Sequence, residues 1–259
     1  MQITKKFIDK LLEFGVELSE EVVKIQEVGF ETLQKKDKTP LTEADLHSNQ
    51  RIRDFLFSNS NVKNIISEED KEIDYEVRKK WEYYWLIDPI DGTKEFVKGG
   101  DDFCVNIALC RGSEPIFGYV GCPKTKDQYY AIQDRGSFKN GDRIFVDRAV
   151  DFNSSVVKIV ASKSHLNKDT EDFINKLKDN YEVDILSIGS SLKFCLVAQG
   201  DAHIYPRFGP TMEWDTCAPQ IIAEESGASV GLASGGLPLT YNKKDLLNPY
   251  FIVSSQPYK

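Results

Sequence analysis

Residues 85–96 read Trp-Leu-Ile-Asp-Pro-Ile-Asp-Gly-Thr-Lys-Glu-Phe. An apolar, strand-like run enters Asp88-Pro89-Ile90-Asp91, so two carboxylates flank a proline-stiffened turn that can aim both at one point. Oxygen ligands held this way suit a hard cation such as Mg²⁺, which takes a few carboxylates and keeps waters for a substrate to displace. The carbonyl of Ile90 lies between them as a further candidate ligand. Gly92 and Thr93 then open a helix, whose first N–H groups favour a phosphate. Read as plain turn chemistry, Asp88 and Asp91 would only cap the turn and the helix; the spacing favours the cation.

Two other acidic places could join them. Ser67-Glu68-Glu69-Asp70 follows a short apolar run, and adjacent buried carboxylates repel unless a cation or a shifted pKa relieves them. Taken alone, this is more simply a helix start, with Ser67 as cap and Asp70 as its capping-box partner. Trp214-Asp215-Thr216-Cys217-Ala218 begins an amphipathic helix that continues through Ile221 and Ile222 to Gly227. Asp215 there is either a ligand or a first-turn acid at the positive end of the helix dipole.

The elements that must carry these residues follow from periodicity. Apolar positions between Ile3 and Phe30 recur at helical intervals, which predicts one long or broken helix. After the polar run Gln34 to Pro40, Thr42-Glu43-Ala44-Asp45 has capping-box form and opens a second helix through Ile52, Phe55 and Leu56. A short strand spans Val62 to Ile66. From Trp81 the pattern turns to strands at Tyr83–Ile87, Phe103–Cys110, Ile116–Gly121 and Gln128–Ile132, with shorter ones near Phe138 and Ile144. Short glycine-bearing turns between them favour an antiparallel meander. Beyond Asn153 the order is mixed: strand Val156–Ala161, helix Thr170–Lys178, strand Val183–Ile185, helix Ser190–Gln199, strand Ala202–Tyr205 and helix Glu213–Ser226. The fold class expected is α+β in two layered halves, residues 1–150 and 151–259, with a boundary within Asp147–Ser154.

Composition narrows the function. The chain has 259 residues, 33 Lys+Arg and 41 Asp+Glu, for a formal net charge of -8. Binding a long nucleic acid needs clustered Lys and Arg to displace counterions, so that partner is disfavoured. A small anion is not, because bound cations can reverse the local charge. The five cysteines sit mostly in apolar runs, without a CxxC pair, and read as reduced core residues. No stretch has the h-region of a signal peptide or the length of a membrane span, and the expected location is the cytoplasm, with peripheral contact at the inner membrane left open.

In combination, Asp88-Pro89-Ile90-Asp91-Gly92-Thr93, the preceding Ser67-Glu68-Glu69, and the distant Trp214-Asp215-Thr216-Cys217-Ala218 with Gly227-Ala228 resemble the inositol monophosphatase superfamily of Mg²⁺-dependent, lithium-sensitive phosphatases. Lys38-Thr39-Pro40-Leu41-Thr42-Glu43-Ala44-Asp45 matches its N-terminal motif, so the resemblance covers nearly the whole chain. Asp91-Gly92-Thr93-Lys94-Glu95-Phe96 is similar to its bacterial 3'(2'),5'-bisphosphate nucleotidase branch, the CysQ type. Relatives acting on inositol phosphates usually carry Asn-Phe and a His at the places of Glu95-Phe96 and Lys98.

The resemblance implies an αβαβα sandwich of the inositol monophosphatase and fructose-1,6-bisphosphatase type. It implies two or three Mg²⁺ ions held by Glu68, Asp88, the Ile90 carbonyl, Asp91 and Asp215, where two such ions clamp a phosphate and activate water. Four carboxylates and two Mg²⁺ ions leave that site about neutral. Thr93, with Glu68 or Asp45, would orient and deprotonate the attacking water. On the substrate side it implies Glu68, Ile90, Asp91, Gly92, Thr93, Lys163, His165, Ser190, Ser191, Lys193, Arg207 and Asp215. The implied activity is removal of the 3'-phosphate from adenosine 3',5'-bisphosphate, which clears a by-product of sulfate assimilation, by a monomer or homodimer. The alternatives are an inositol or sugar monophosphatase with the same site, and a non-catalytic metal-binding scaffold. His47 and His203 read as ordinary surface or core histidines.

Overall fold

Phe7, Leu11, Phe14, Leu18 and Val22 are spaced three or four apart, so a helix through them presents one apolar stripe. The computed structural model, which describes residues 3–34, 40–71, 73–146, 152, 155–162 and 167–256, has that helix unbroken as α1 (Lys5–Val28). The Thr4 hydroxyl caps it by accepting the Phe7 N–H at 3.2 Å. Gly15, midway along, allows the helix to lie on the sheet beneath: a Cβ there would fall 2.1 Å from the Tyr119 hydroxyl oxygen. A two-stranded pair follows, β1 (Thr32–Gln34) and β2 (Pro40–Thr42), and then α2 (Glu43–Asn59). Its capping box is the predicted one, with the Thr42 N–H and hydroxyl both donating to Asp45 Oδ2 at 2.6 Å.

The next elements are β3 (Ile65–Ser67), α3 (Tyr75–Arg78), β4 (Tyr83–Asp91), α4 (Thr93–Val97), β5 (Cys104–Arg111), β6 (Glu114–Cys122), β7 (Asp127–Ile132), β8 (Gly136–Lys139) and β9 (Asp142–Ile144). The strands form one seven-stranded sheet in sequence order, the meander expected from the short turns. Only β3 departs from it, pairing parallel with β4. The chain then forms β10 (Val157–Ser162), α5 (Lys168–Lys178), β11 (Val183–Ile188), α6 (Leu192–Ala198), β12 (Ile204–Arg207), α7 (Glu213–Ser226), β13 (Ser229–Leu232) and β14 (Phe251–Ser254). These strands make a second sheet in the order β11-β10-β12-β14-β13, parallel in its first three members and antiparallel after them.

Strand parity sorts the core into layers. On β5, Val105, Ile107 and Leu109 join a cluster with α1 and α2, while Cys104, Ala108 and Cys110 face a cluster containing α6 and α7. On the second sheet, Val160, Tyr205 and Phe251 face that same middle cluster, whereas Ile159 and Ile204 face Phe173, Ile174 and Leu177 of α5. The result is helix, sheet, helix, sheet, helix: the α+β sandwich expected. Both sheets contribute to the middle cluster, and most of Asp147–Ser154, the expected boundary, lies outside the described residues.

The sequence predicts no strand between Phe30 and the helix that opens at Thr42, and none after Ser226. β1, β2, β13 and β14 are nevertheless present, each only three or four residues long and defined by its partner rather than by its own alternation. All five cysteines are free and buried, as expected. Among the described residues no helix is long and apolar enough to cross a membrane.

α7 lies directly on β6 because Gly118 has no side chain: a Cβ would come within 2.3 Å of the Ala218 carbonyl oxygen and 2.6 Å of Ile221. Gly118→Ala is expected to cost about 1–3 kcal/mol of stability by overpacking, read as a lower denaturation midpoint. An unchanged midpoint would contradict this close approach.

Candidate active site

In a regular strand, side chains three residues apart leave on opposite faces. Asp88 and Asp91 escape this rule. The sequence predicts a strand ending at Ile87 and a turn after it, but β4 continues to Asp91 through a bulge. Asp88 pairs with Asn106 and Asp91 with Cys104, so three steps on β4 oppose two on β5. The extra residue returns both carboxylates to one face, while Ile90 points into the cluster beneath α1 and α2. Pro89 lacks the N–H that a regular ladder would use there, and the Ile90 N–H turns to Asp88 Oδ1 at 3.1 Å. Gly92 follows at φ 98°, with Asp102 O only 2.9 Å from where a Cβ would sit, and the chain turns into α4.

The third acid arrives from the other half of the chain. Asp215 is in the first turn of α7, where its Oδ2 accepts the Met212 N–H at 2.9 Å. Carboxylate oxygens of Asp88, Asp91 and Asp215 lie within 4.8 Å of one another. Glu68, just past β3, lines the same cleft. Burial pushes the Asp88 and Asp215 carboxyls well above the ordinary range, and Asp91 above it. The neighbouring acids, Glu68 foremost for Asp88, push in the same direction. The Lys193 charge and the Ser191 N–H draw Asp91 partly back. An all-carboxylate set with no His or Cys fits a hard divalent cation, whose charge relieves this repulsion.

Asp45 takes part in two arrangements at once. Its Oδ2 closes the α2 capping box, and its Oδ1 accepts from the Thr93 hydroxyl at 3.3 Å. The same hydroxyl lies 3.0 Å from the Ile90 carbonyl oxygen. Asp45 is fully buried and lies behind Thr93 rather than on the cleft wall.

The cleft encloses about 400 Å³, and Gly92, Thr93, Ser190, Ser191, Lys193 and Arg207 also line it. The Ser191 N–H donates to Asp91 Oδ2, which ties the start of α6 to the bulge. Ser190 adopts φ 51°, unusual for a residue with a side chain. The Lys193 ammonium donates to the carbonyls of Ser190 at 2.5 Å and Ile188 at 3.3 Å, and it stands over the Tyr205 ring. Much of its hydrogen bonding is thus spent on the loop rather than on the open cleft. Burial lowers its pKa to about 8, against the pull of Asp91. Arg207 donates through Nη2 to Pro210 O at 2.9 Å, and its buried Nε has no partner among the described residues. Lys163 and His165 lie outside the described residues, as do Lys38 and Thr39. His47 pairs with Glu21 at 2.7 Å and His203 accepts the Lys158 N–H at 3.0 Å, both away from the cleft.

Sequence reasoning missed Asn106, a buried amide on β5 that accepts the Ser191 hydroxyl at 2.8 Å. Its signal was available: one polar residue inside the apolar run Phe103–Cys110. Tyr205, Phe194 and Phe251 also line the cleft, but nothing local distinguishes them from core residues.

The raised carboxyls set a pH dependence. A group whose folded pKa exceeds its unfolded value adds stability that is complete below the unfolded value, about 4 for these acids, and is lost as pH rises through the folded value. Cation-free protein is therefore expected to lose this contribution as pH climbs toward neutrality, whereas a bound divalent cation restores it. Thermal midpoints measured between about pH 5 and 8, in EDTA and in Mg²⁺, should differ more at each higher pH. A difference that is flat across this range would refute the coupling.

Known proteins resemble this chain over most of its length. The chain is 38% identical over 225 residues to the 3'(2'),5'-bisphosphate nucleotidase CysQ of Salmonella typhimurium, covering 86% of this chain and 89% of that one. It is 39% identical over 226 residues to the protein of the same description from Escherichia coli, with the same coverage. A crystal structure of CysQ from Bacteroides thetaiotaomicron, described as a bacterial member of the inositol monophosphatase family, superposes with a TM-score of 0.81. Its identity is 38%, and the match covers 92% of this chain and 93% of that one. The inositol monophosphatase family itself matches residues 7–259, a span that takes in both sheets and every acid of the cleft. A match of that extent is more than a shared fragment, and the chain belongs to the inositol monophosphatase family.

Proposed function

We propose that this protein is a Mg²⁺-dependent 3'(2'),5'-bisphosphate nucleotidase that converts adenosine 3',5'-bisphosphate to AMP and phosphate. The observation that carries the reading is the acidic cluster of Asp88, Asp91 and Asp215 in a cleft that Lys193 and Arg207 also line. The 38–39% identity to CysQ nucleotidases over most of the chain supports this substrate class. Glu68, Asp88, the Ile90 carbonyl, Asp91 and Asp215 would hold two or three Mg²⁺ ions. When bound, Mg²⁺ supplies Lewis-acid stabilisation of phosphate charge and lowers the pKa of water.

The protein's own groups orient the reaction. The Thr93 hydroxyl has one proton, which it directs toward Asp45 Oδ1 or Ile90 O; a lone pair remains to accept a hydrogen bond from the attacking water. Asp45 takes up the proton passed through Thr93, an assignment favoured over Glu68 by the Thr93–Asp45 contact. Gly92 and Thr93, at the start of α4, line the cleft beside Asp91, where the scissile phosphate would lie. Arg207, with an unpartnered Nε, and Lys193 bring positive charge toward the nucleotide's second phosphate. Tyr205, Phe194 and Phe251 give the cleft apolar surface on the same side.

A substrate panel tests the assignment. With Mg²⁺ and equal substrate concentrations, phosphate release is expected to be faster from adenosine 3',5'-bisphosphate than from inositol 1-phosphate, and lithium is expected to inhibit it. Clear preference for the inositol ester would overturn the substrate choice. Asp88→Asn is expected to abolish Mg²⁺-dependent turnover, and retained activity would overturn the metal mechanism. Thr93→Val should lower kcat by roughly 10²- to 10⁴-fold, the range for lost proton handling, with a small change in KM.

A further inference from the structure

Asn106 is an amide buried where its strand is otherwise apolar, with 0% of its surface exposed. It stands directly opposite Asp88 in the register of β4 and β5, so the two side chains leave the sheet on one face. Its Oδ1 accepts the Ser191 hydroxyl at 2.8 Å, and the Ser191 N–H donates to Asp91 Oδ2. The other half of the amide, Nδ2, has no hydrogen-bond partner among the described residues. A buried unsatisfied donor is a standing cost, which an apolar residue like its neighbours Val105 and Ile107 would not incur.

We propose that Asn106 is a positioning residue of the cation site. Its oxygen holds Ser191, Ser191 holds the Asp91 carboxylate, and its unpartnered NH₂ is a donor kept on the face that carries Asp88. Groups that hydrogen-bond to ligands fix ligand orientation and thereby tune affinity for the ion without touching it. The inference rests on the reading of Asp88 and Asp91 as cation ligands.

Calorimetric titration of cation-free protein with Mg²⁺ tests it without relying on turnover. Asn106→Ala is expected to weaken Mg²⁺ binding roughly 10-fold, the lower end of what loss of such a support costs. Ser191→Ala should weaken it in the same direction. The double variant should lose little more than the larger single loss, because both act through one link. Unfolding in EDTA identifies the variants that fold; if Asn106→Ala does not, Asn106→Ser and Ser191→Ala carry the same comparison. A folded Asn106 variant that binds Mg²⁺ as tightly as the parent, or losses that add in full, would overturn the proposal. Asp91→Asn separates the two readings. If it binds Mg²⁺ like the parent, the cation site itself is misassigned; if it loses binding while the Asn106 variant keeps it, only the role of Asn106 fails.

Discussion

One extra residue in β4 decides where this protein can do chemistry. Without the bulge between Asp88 and Asp91, strand geometry would place their carboxylates on opposite faces of the sheet, one toward α1 and the other toward α6 and α7. With it, both carboxylates face the middle layer, and Ile90 fills the cluster on the far side. Pro89 supports the irregularity because it has no ladder N–H to lose. Gly92 then lets the chain leave the strand past Asp102, which sets Thr93 over Asp45.

The remaining architecture holds a repulsive cluster together. Asp215 comes from α7, and the start of that helix is tied down by the C-terminal segment. The Glu213 N–H donates to Leu246 O, Asn248 Nδ2 donates to Met212 O, and Lys243 pairs with the buried Glu213 carboxylate at 2.6 Å. Arg78 reaches the same segment, donating to Asn242 Oδ1 and Lys244 O. Asp91 is held from the second sheet's side by Ser191, next to a loop whose carbonyls are clamped by Lys193. Carboxylates forced together by such packing have their pKa values raised by burial and by one another, and a divalent charge offsets both effects, so the packing favours a cation. The net charge of -8 is consistent with this: Glu68, Asp88, Asp91 and Asp215 are four of the 41 acids, and their excess serves the site.

Much of this was legible before any coordinates. The predicted span of α7 agrees with the structure, the α2 capping box formed on the residues named, and the meander followed from its short glycine turns. Asp45 shows where local reading stops. Its capping role was visible in the four residues around it, but its contact with Thr93 spans 48 positions and has no local signature. Lys193 shows the same limit: it lines the cleft as a substrate-side residue would, but its hydrogen bonds to the carbonyls of Ile188 and Ser190, which hold the loop before α6, have no local signature.

The sequence by itself determined the chemistry available, namely four carboxylates, a threonine, and the proline and glycine that irregular backbone requires. It also determined the helices and strands whose hydrophobic period is strong. Only the tertiary structure decided that Asp88 and Asp91 share a face, that Asp215 joins them from more than 120 residues away, and that Asn106 and Ser191 brace Asp91. The reason is physical. Residue type and period act over one or two turns, whereas strand register and helix docking are set by burial across the whole core.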